Sequence, residues 1–219
     1  GSCAEAYATA NSISFCALDA SEETETEETP AEYFDYTISD GEVTIVDSAG
    51  SSLPVVVVVP KEIEGYPVRH IDDYVFYCAE GVTSITIPQG VISIGAYAFD
   101  GCHDLTEIKL PDSLVSIGEQ AFGCCCSLAD ITIPGSITSI ADSTFMMCSS
   151  LTEFTIPDSV ALIGHSAFYE CSALTSIKIP GRVVTIGGSA FQSCSSLQSV
   201  MIPASVTTIG DGAFTGCSR

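Results

Sequence analysis

Cysteine is the residue type whose number and spacing most call for a chemical explanation in this chain. The 219 residues include 11 cysteines. Six of them recur at a constant step of 23 residues: Cys102, Cys125, Cys148, Cys171, Cys194 and Cys217. Thiols in such numbers serve as disulfides, as zinc ligands, or as small apolar groups in a core. Constant spacing favours the core, because each member of the series then occupies the same inward position of a repeating unit.

The periodic thiols are therefore predicted to be reduced and buried. Stacked units would bring their Cα atoms within disulfide range, about 4.4–6.8 Å, but parallel stacking directs the side chains alongside one another. The run Cys124-Cys125-Cys126 departs from the spacing, since Cys124 and Cys126 flank the periodic residue on a predicted turn. Zinc would need a further pair of ligands. No such pair lies at zinc spacing, so the sequence predicts neither a metal site nor a cofactor.

Other residues that commonly carry catalysis are isolated in this sequence. His70, His103 and His165 stand alone at variable positions, which is typical of surface histidines. The sequence has no nucleophile elbow, zinc-protease helix motif, phosphate-binding glycine loop or EF-hand spacing. We interpret Asp72-Asp73 as solvated carboxylates rather than as a calcium site. We therefore predict no catalytic residues and no enzymatic activity.

The chain is strongly acidic, with 28 Asp and Glu against 6 Lys and Arg and a formal net charge of −22. Nucleic acids and anionic membranes require clustered cations, so neither is an expected partner. No apolar run reaches the ~18 residues of a membrane span, so no membrane insertion is expected. The low-complexity run SEETETEETP lies in a segment with little to bury. Residues 1–31 are predicted to be a disordered acidic segment.

The two ends of the sequence carry weaker signals. Gly1-Ser2 is typical of a cloning scar and no intact export signal is visible, so we expect a signal peptide to have been removed. At the other end the chain stops part-way through a repeat, which indicates either a truncated chain or a missing C-terminal cap. The last strand, near residues 199–202, would then have an unpaired edge. The chain is expected to be a monomer or to associate weakly end to end.

The elements that must position these residues follow the same step as the cysteines. A phenylalanine recurs at Phe76, Phe99, Phe122, Phe145, Phe168, Phe191 and Phe214, and a proline at Pro88, Pro111, Pro134, Pro157, Pro180 and Pro203. Apolar residues 9 and 11 positions after each Phe alternate as in a strand, which the proline ends. A period of about 20–29 residues with this core predicts a leucine-rich repeat solenoid.

Each 23-residue unit is predicted to supply one strand of a parallel sheet on one face, a tight corner, and a short helical turn around Ala-Phe opposite. The corner is marked by Gly95, Gly118, Gly164, Gly187 and Gly210, with Ala141 in place of the missing glycine. The expected fold class is thus an α/β repeat, a right-handed solenoid. A single unit buries too little to fold alone, so its stability must come from stacking.

An atypical unit is predicted to cover the N-terminal end of this solenoid. Phe34, Tyr36 and Ile38 alternate with polar residues, and Asp40-Gly41 is the signal for a tight hairpin turn. The predicted leucine-rich repeat domain spans residues 32–219, with a β-hairpin cap at 32–52 and repeats at 53–219.

The unit resembles the BspA-like branch of leucine-rich repeats, whose members carry L-x-x-I-x-I-P-x-S-V-x-x-I-G-x-x-A-F-x-x-C-x-x. Residues 174–196, LTSIKIPGRVVTIGGSAFQSCSS, fit this unit nearly throughout, and the resemblance covers about residues 32–217. Local departures are Phe154 for Ile, Thr144 for Ala, Ala141 for Gly, and Cys78 one place early. The resemblance implies secreted or surface-attached proteins of bacteria and some protozoa that recognise or adhere to host or neighbouring-cell proteins. It implies no catalytic residues.

Residues 8 and 10 positions after each Phe are expected to face away from the core, on the open face of the predicted sheet. The candidate partner-binding residues on this face are Glu107, Lys109, Asp130, Thr132, Glu153, Thr155 and Lys178. An ordinary solvated sheet face would carry similar residues. The predicted function is non-catalytic recognition of a protein partner, or adhesion to it, outside the cell or on its surface. The alternative is a set of spacer repeats that project another domain.

Overall fold

The computed structural model describes residues 27–49 and 52–217. The elements that lie wholly within these residues are a three-residue 3-10 helix, Ala31–Tyr33, and 16 β-strands. The strands are β1 (Phe34–Ser39), β2 (Glu42–Ser48), β3 (Val56–Val58), β4 (Glu62–Ile63), β5 (Tyr66–Ile71), β6 (Ser84–Thr86), β7 (Ser93–Ile94), β8 (Glu107–Lys109), β9 (Ser116–Ile117), β10 (Ser139–Ile140), β11 (Glu153–Thr155), β12 (Leu162–Ile163), β13 (Ser176–Lys178), β14 (Thr185–Ile186), β15 (Ser199–Met201) and β16 (Thr208–Ile209). They form a β-solenoid of about seven coils, each coil being one circuit of the chain around a continuous core.

Two rows of parallel strands run along the solenoid. One row contains β3, β6 and β8, followed by β11, β13 and β15; the other contains β2, β5, β7 and β9, followed by β10, β12, β14 and β16. Paired residues occupy equivalent positions of successive coils, as Ser84 does with Glu107 and Ser93 with Ser116. The sequence predicted the first row. It missed the second, because a two-residue strand leaves no alternation to detect.

The predicted short helical turns around Ala-Phe are wrong. In this part of each coil the chain makes tight turns with a residue at positive φ, such as Tyr97 at 58°. The amide of Phe99 donates to the carbonyl of Ala121 in the next coil at 2.8 Å, and the amide of Gly101 donates to Gly123 at 2.9 Å. An α-helix requires each of these N–H groups to bond the carbonyl four residues earlier. Because the N–H groups bond the next coil instead, the turn side is a hydrogen-bonded ladder and not a row of helices.

The core is a stack of identical side chains. Successive rings from Phe76 to Phe214 stack nearly parallel, with centroids 5.1–5.6 Å apart. The predicted burial of the periodic cysteines is confirmed for Cys102, Cys125, Cys148, Cys171 and Cys194. Each of these five is a free thiol that donates to the carbonyl of a Phe in the preceding coil. Cys217 makes the same bond at the last described residue but is only half-buried.

Strands β1 and β2 form an antiparallel hairpin at the N-terminal end of the stack. Its turn is Asp40-Gly41, both at positive φ. Ile45 is fully buried and its carbonyl accepts the Asp72 amide at 2.9 Å, while the ring of Phe34 meets Phe76 edge-on. Upstream of the hairpin, Thr29 is buried and exchanges two hydrogen bonds with Val58. Residues 1–26 of the predicted acidic segment lie outside the described residues.

Both parallel rows are interrupted at the same junction, between the coil of residues 105–127 and the coil of residues 128–150. We call this junction the seam. Neither β8 nor β9 pairs with the following coil, and residues 130–132 form no strand. On the turn side the ladder continues, since the Gln120 amide donates to Asp142 at 2.9 Å and the Cys124 amide to Met146 at 2.8 Å. The coils therefore part on their strand sides and stay joined on their turn side.

The seam coincides with Ala141, which occupies the corner position held elsewhere by glycine. At Gly118 an added Cβ would lie 2.5 Å from the backbone nitrogen of Ala96, and at Gly187 it would lie 2.5 Å from the Gly164 carbonyl carbon. Such distances leave no room for a methyl group. The Gly118 amide can therefore reach the Ile94 carbonyl at 2.9 Å, whereas Ala141 makes no such bond among the described residues. The Ala141 methyl group accounts for the gap at this corner. Residues 130–132 are also unpaired with β11 of the following coil, although the Gly164 amide there donates to the Ile140 carbonyl at 2.9 Å.

Two other departures from the repeat, Thr144 and Phe154, lie beside the seam. Thr144 replaces the usual alanine and is buried, and its hydroxyl donates to the Ala141 carbonyl at 2.9 Å. Phe154 replaces isoleucine, and its ring lies 4.9 Å from both Phe145 and Phe168. The centroid distance between Phe122 and Phe145, 5.6 Å, is the largest in the stack. Three substitutions thus accompany one local widening of the core.

Candidate recognition face

The predicted partner-binding residues lie on the outer surface of the first strand row, which we call the open face. All seven are exposed: Glu107, Lys109, Asp130, Thr132, Glu153, Thr155 and Lys178. In β8, β11 and β13 the central residue is buried and its two neighbours are exposed. This alternation follows from the pleat of a strand, which directs successive side chains to opposite sides.

Regular pairing holds these residues in fixed register wherever the strands continue. Glu153 lies opposite Ser176, and Thr155 lies opposite Lys178. Glu107 accepts a hydrogen bond from the Ser84 hydroxyl at 3.3 Å, and its carboxylate lies 3.5 Å from the Lys109 ammonium. That ion pair is more than half exposed, so it contributes little to stability and leaves both charges available to a partner.

Asp130 and Thr132 are placed differently, because residues 130–132 are not part of a strand. No backbone hydrogen bond joins this segment to β8 on one side or to β11 on the other within the described residues. Ile131 nevertheless remains buried, so the segment keeps its inward anchor, while its main-chain donors and acceptors have no backbone partner in the described part of the chain. Polar backbone groups in this state need a partner from solvent or from a ligand.

Two crevices flank the unpaired segment on the open face. One has a volume of about 350 Å³ and lies between residues 106–110 and residues 130–132. The other has a volume of about 310 Å³ and lies between residues 130–133 and residues 153–157. Glu107, Asp130 and Glu153 line these crevices together with Lys109 and Thr132. Lys178 lines neither of them, although its backbone pairs with that of Thr155.

The chemistry of this face is that of recognition by charge and hydrogen bonding. Carboxylates accept hydrogen bonds, the two lysines donate them, and the unpaired backbone of 130–132 offers both donors and acceptors. In the described part of the chain no group of three His, Cys, Asp or Glu side chains is arranged to hold a metal ion. His103 and His165 are exposed as expected, whereas His70 is half-buried and lies 2.7 Å from the Ser93 hydroxyl.

Sequence reasoning missed the unpaired backbone of 130–132 and the two crevices. The signal was present, since Ala141 and Phe154 were recognised as departures from the repeat. Their consequence depends on how closely the corner backbone approaches the preceding coil, which only the coordinates give.

Comparison with known proteins identifies the family of this chain. A family model described as "BspA type Leucine rich repeat region (6 copies)" matches residues 69–172 and 138–219. The chain belongs to this family. The resemblance drawn from the repeat unit is thereby confirmed, and this family is generally non-enzymatic. No significant match was found among curated proteins.

Solved structures of bacterial leucine-rich repeat proteins have the same fold. A leucine-rich repeat protein of T. pallidum is 36% identical to this chain, with a TM-score of 0.83 over 88% of this chain and 90% of its own. A leucine-rich repeat protein of Eubacterium ventriosum is 21% identical, with a TM-score of 0.50 over 74% of this chain and 58% of its own. A leucine rich cell surface protein of Faecalibacterium prausnitzii is 28% identical over 87% of this chain and 74% of its own, with a TM-score of only 0.48.

Proposed function

We propose that this protein is a non-catalytic recognition module that binds a protein partner through the open face. The observation that carries the proposal is the unpaired backbone of residues 130–132 between two crevices lined by exposed charged residues. The binding residues are Glu107, Lys109, Asp130, Thr132, Glu153, Thr155 and Lys178. Solenoids present extended surfaces of this kind to partners.

The net charge of −22 supports a partner with a basic contact surface. Exposed carboxylates attract such a surface over about one Debye length, roughly 8 Å at physiological salt. Complementary charge raises the association rate more than it raises the final affinity. Binding is therefore expected to weaken as salt concentration increases, chiefly through slower association.

We propose further that the protein works outside the cell or on its surface, as the family resemblance implies. No helix in the described part of the chain has the length and apolar character that crossing a bilayer requires. The β1–β2 hairpin serves as the N-terminal cap of the 23-residue repeats, because Phe34 and Ile45 bury the first coil that would otherwise be exposed.

The face is tested with two matched triple variants. Glu107→Ala, Asp130→Ala and Glu153→Ala together remove three carboxylates from the crevices. Glu80→Ala, Asp112→Ala and Asp158→Ala together remove three exposed carboxylates elsewhere, so both variants change the net charge equally. Binding partners captured from host matrix and neighbouring-cell surface proteins are identified with the unchanged protein, and their dissociation constants are then measured for all three proteins.

We expect the face variant to bind at least about tenfold more weakly, because several charge contacts of about 0.5–1 kcal/mol each are lost. The control variant is expected to bind as the unchanged protein does. If both variants lost affinity equally, only the overall charge would matter. If both kept their affinity, the binding site would lie outside the open face. Capture of no partner at all would favour the alternative, spacer repeats.

A further inference from the structure

The turn at residues 124–126 carries two cysteines beside the periodic one, and both lie against Met147 of the next coil at the turn side of the seam. Cys125 is the periodic buried thiol, and its two neighbours are partly exposed. The Cys124 sulfur lies 3.9 Å from the thioether sulfur of Met147 in the next coil, and the Cys126 sulfur lies 3.7 Å from the Met147 carbonyl oxygen. The Cys126 amide donates to the Cys124 carbonyl at 2.8 Å, which closes the turn and keeps both thiols beside Met147.

The repeat itself does not demand these residues. The position of Cys124 is taken in other coils by Cys78, Gly101, Met147, Glu170, Ser193 and Gly216, and that of Cys126 by Glu80, His103, Ser149, Ser172 and Ser195. The turn therefore accepts residues of different size and polarity and does not require cysteine. The sulfur residues occur together at this junction alone among those positions, and neither the core nor the open face uses them.

Two thiols and a thioether form a soft ligand set. Soft sulfur ligands select Cu(I) over Mg²⁺, Ca²⁺ and other hard cations. Two sulfurs that each bind one metal ion at about 2.3 Å in a trigonal arrangement lie about 4 Å apart, close to the observed separation of Cys124 and Met147. A zinc site would need a fourth ligand. His103, in the preceding coil, does not supply it, because no three His, Cys, Asp or Glu side chains of the described residues are arranged around one metal position.

We propose that Cys124, Cys126 and Met147 bind one soft monovalent metal ion, with Cu(I) as the chemical type. Binding forms two metal–thiolate bonds and one metal–thioether bond, and it releases two thiol protons to solvent. No oxidation state changes. The net charge of −22 attracts the cation to the surface.

The test uses the fully reduced protein under anaerobic conditions, titrated with Cu(I) in competition with a chromophoric Cu(I) chelator. The unchanged protein is expected to bind one Cu(I) tightly. Cys124→Ser and Cys126→Ser are each expected to weaken binding at least about 100-fold. Met147→Leu keeps a similar volume and removes only the thioether, so a loss of about tenfold is expected.

Cys78→Ser is the matched control, because Cys78 is an exposed thiol that occupies the position of Cys124 two coils earlier. It is expected to bind Cu(I) as the unchanged protein does. Affinity that depends on Cys78, or that persists unchanged in Cys124→Ser or in Met147→Leu, would overturn the site. Urea unfolding of all four variants separates lost metal binding from lost folding.

Discussion

The seam and the junction two coils further on differ in whether their strand rows pair. Between the coils of residues 151–173 and 174–196, both strand rows pair and the Gly187 amide donates to the Ile163 carbonyl at 2.8 Å. At the seam Ala141 takes the glycine position and both rows stop. The ladder on the turn side is the same at both junctions. Stacking in this solenoid is therefore held by two independent sides, and one side can open while the other stays closed.

The difference bears on the proposed function, because the first strand row, which is interrupted at the seam, forms the open face. The regular junction offers a partner only side chains. The seam offers side chains together with free backbone groups and one crevice, and a second crevice lies at the next junction. A solenoid of identical coils has no preferred position along its length. A local departure such as Ala141 gives one position a shape that a partner can recognise.

The largest expected effect compares two core phenylalanines. Phe99 and Phe145 are both fully buried, but the Phe145 ring also contacts Phe154 at 4.9 Å. Phe99→Ala is expected to cost about 3–5 kcal/mol of unfolding free energy. Phe145→Ala should cost about 1 kcal/mol less, because the Phe154 side chain can move into the space. Urea unfolding measures both values, and an equal or larger loss at Phe145 would show that the wider core at the seam cannot rearrange.

The second prediction opens a new seam at the regular junction. Gly187→Ala places a Cβ 2.5 Å from the Gly164 backbone and should cost about 1–3 kcal/mol, with loss of amide protection in β12 and β14. Gly181→Ala is the matched control, because nothing lies within 4 Å of its added Cβ and its φ is negative. The control should be neutral or slightly stabilising. A neutral Gly187→Ala variant would remove the steric explanation of the seam.

The third prediction concerns the thiols, whose series continues through the seam. Burial raises the pKa of Cys102 to about 12 and of Cys194 to about 12 from the ordinary value of 9.0. Because the pKa is raised in the folded state, the stability that each buried, protonated thiol contributes is fully present below pH 9 and is lost as the pH rises towards 12. At pH 10 each thiol should cost about 1.4 kcal/mol relative to pH 7.

Cys102→Ala and Cys194→Ala test this on the two sides of the seam. The unfolding free energy is measured in urea at pH 7 and at pH 10. Its decrease between the two pH values should be about 1.4 kcal/mol smaller in each variant than in the unchanged protein. Equal differences on both sides would show that the core series is unaffected by the opening. A difference at only one of them would mean that the coils on the other side already expose their thiol.

The residues that repeat strictly were the ones that could be predicted. The strand at residues 176–178, the Phe stack and the buried thiols follow from period and polarity alone, as does the exposure of Glu107 and Lys178. The turn side was not predictable in the same way. Residues such as Tyr97 and Ser143 adopt positive φ without being glycine, and their amides bond the next coil. That bonding depends on stacking, which a pattern within one unit does not contain.

Of the candidate site, only the exposed side chains could be predicted from the sequence. The positions of Glu107, Asp130 and Glu153 came from counting residues after each Phe, and the count does not show that residues 130–132 are unpaired. Nor does it show that Met147 lies against two thiols of the preceding coil. Both facts concern contacts between coils at one place, where the residues depart from the repeat.

The substitution with the smallest expected effect on stability, Ala141→Gly, is one that should close the seam at its corner. Ala141→Gly removes the methyl group and allows the amide at 141 to reach the Ile117 carbonyl, a gain of about 1 kcal/mol. Glycine costs about 0.5–1 kcal/mol in chain entropy, so unfolding free energy should hardly change. Hydrogen exchange is the informative measurement. In the unchanged protein the Ile131 amide should exchange much faster than the equivalent Ile177 amide in β13, which pairs on both sides.

Ala141→Gly alone should slow amide exchange at position 141. The double variant Ala141→Gly and Phe154→Ile should also slow amide exchange at Ile131, because the core then has its regular width on both sides of residues 130–132. The same double variant should lose partner binding at the open face while keeping Glu107, Asp130 and Glu153. If binding survives with the backbone protected, the charged side chains alone define the site and the free backbone does not contribute. If Ile131 is already protected as strongly as Ile177 in the unchanged protein, the strand sides are closed in solution and the comparison between the two junctions fails.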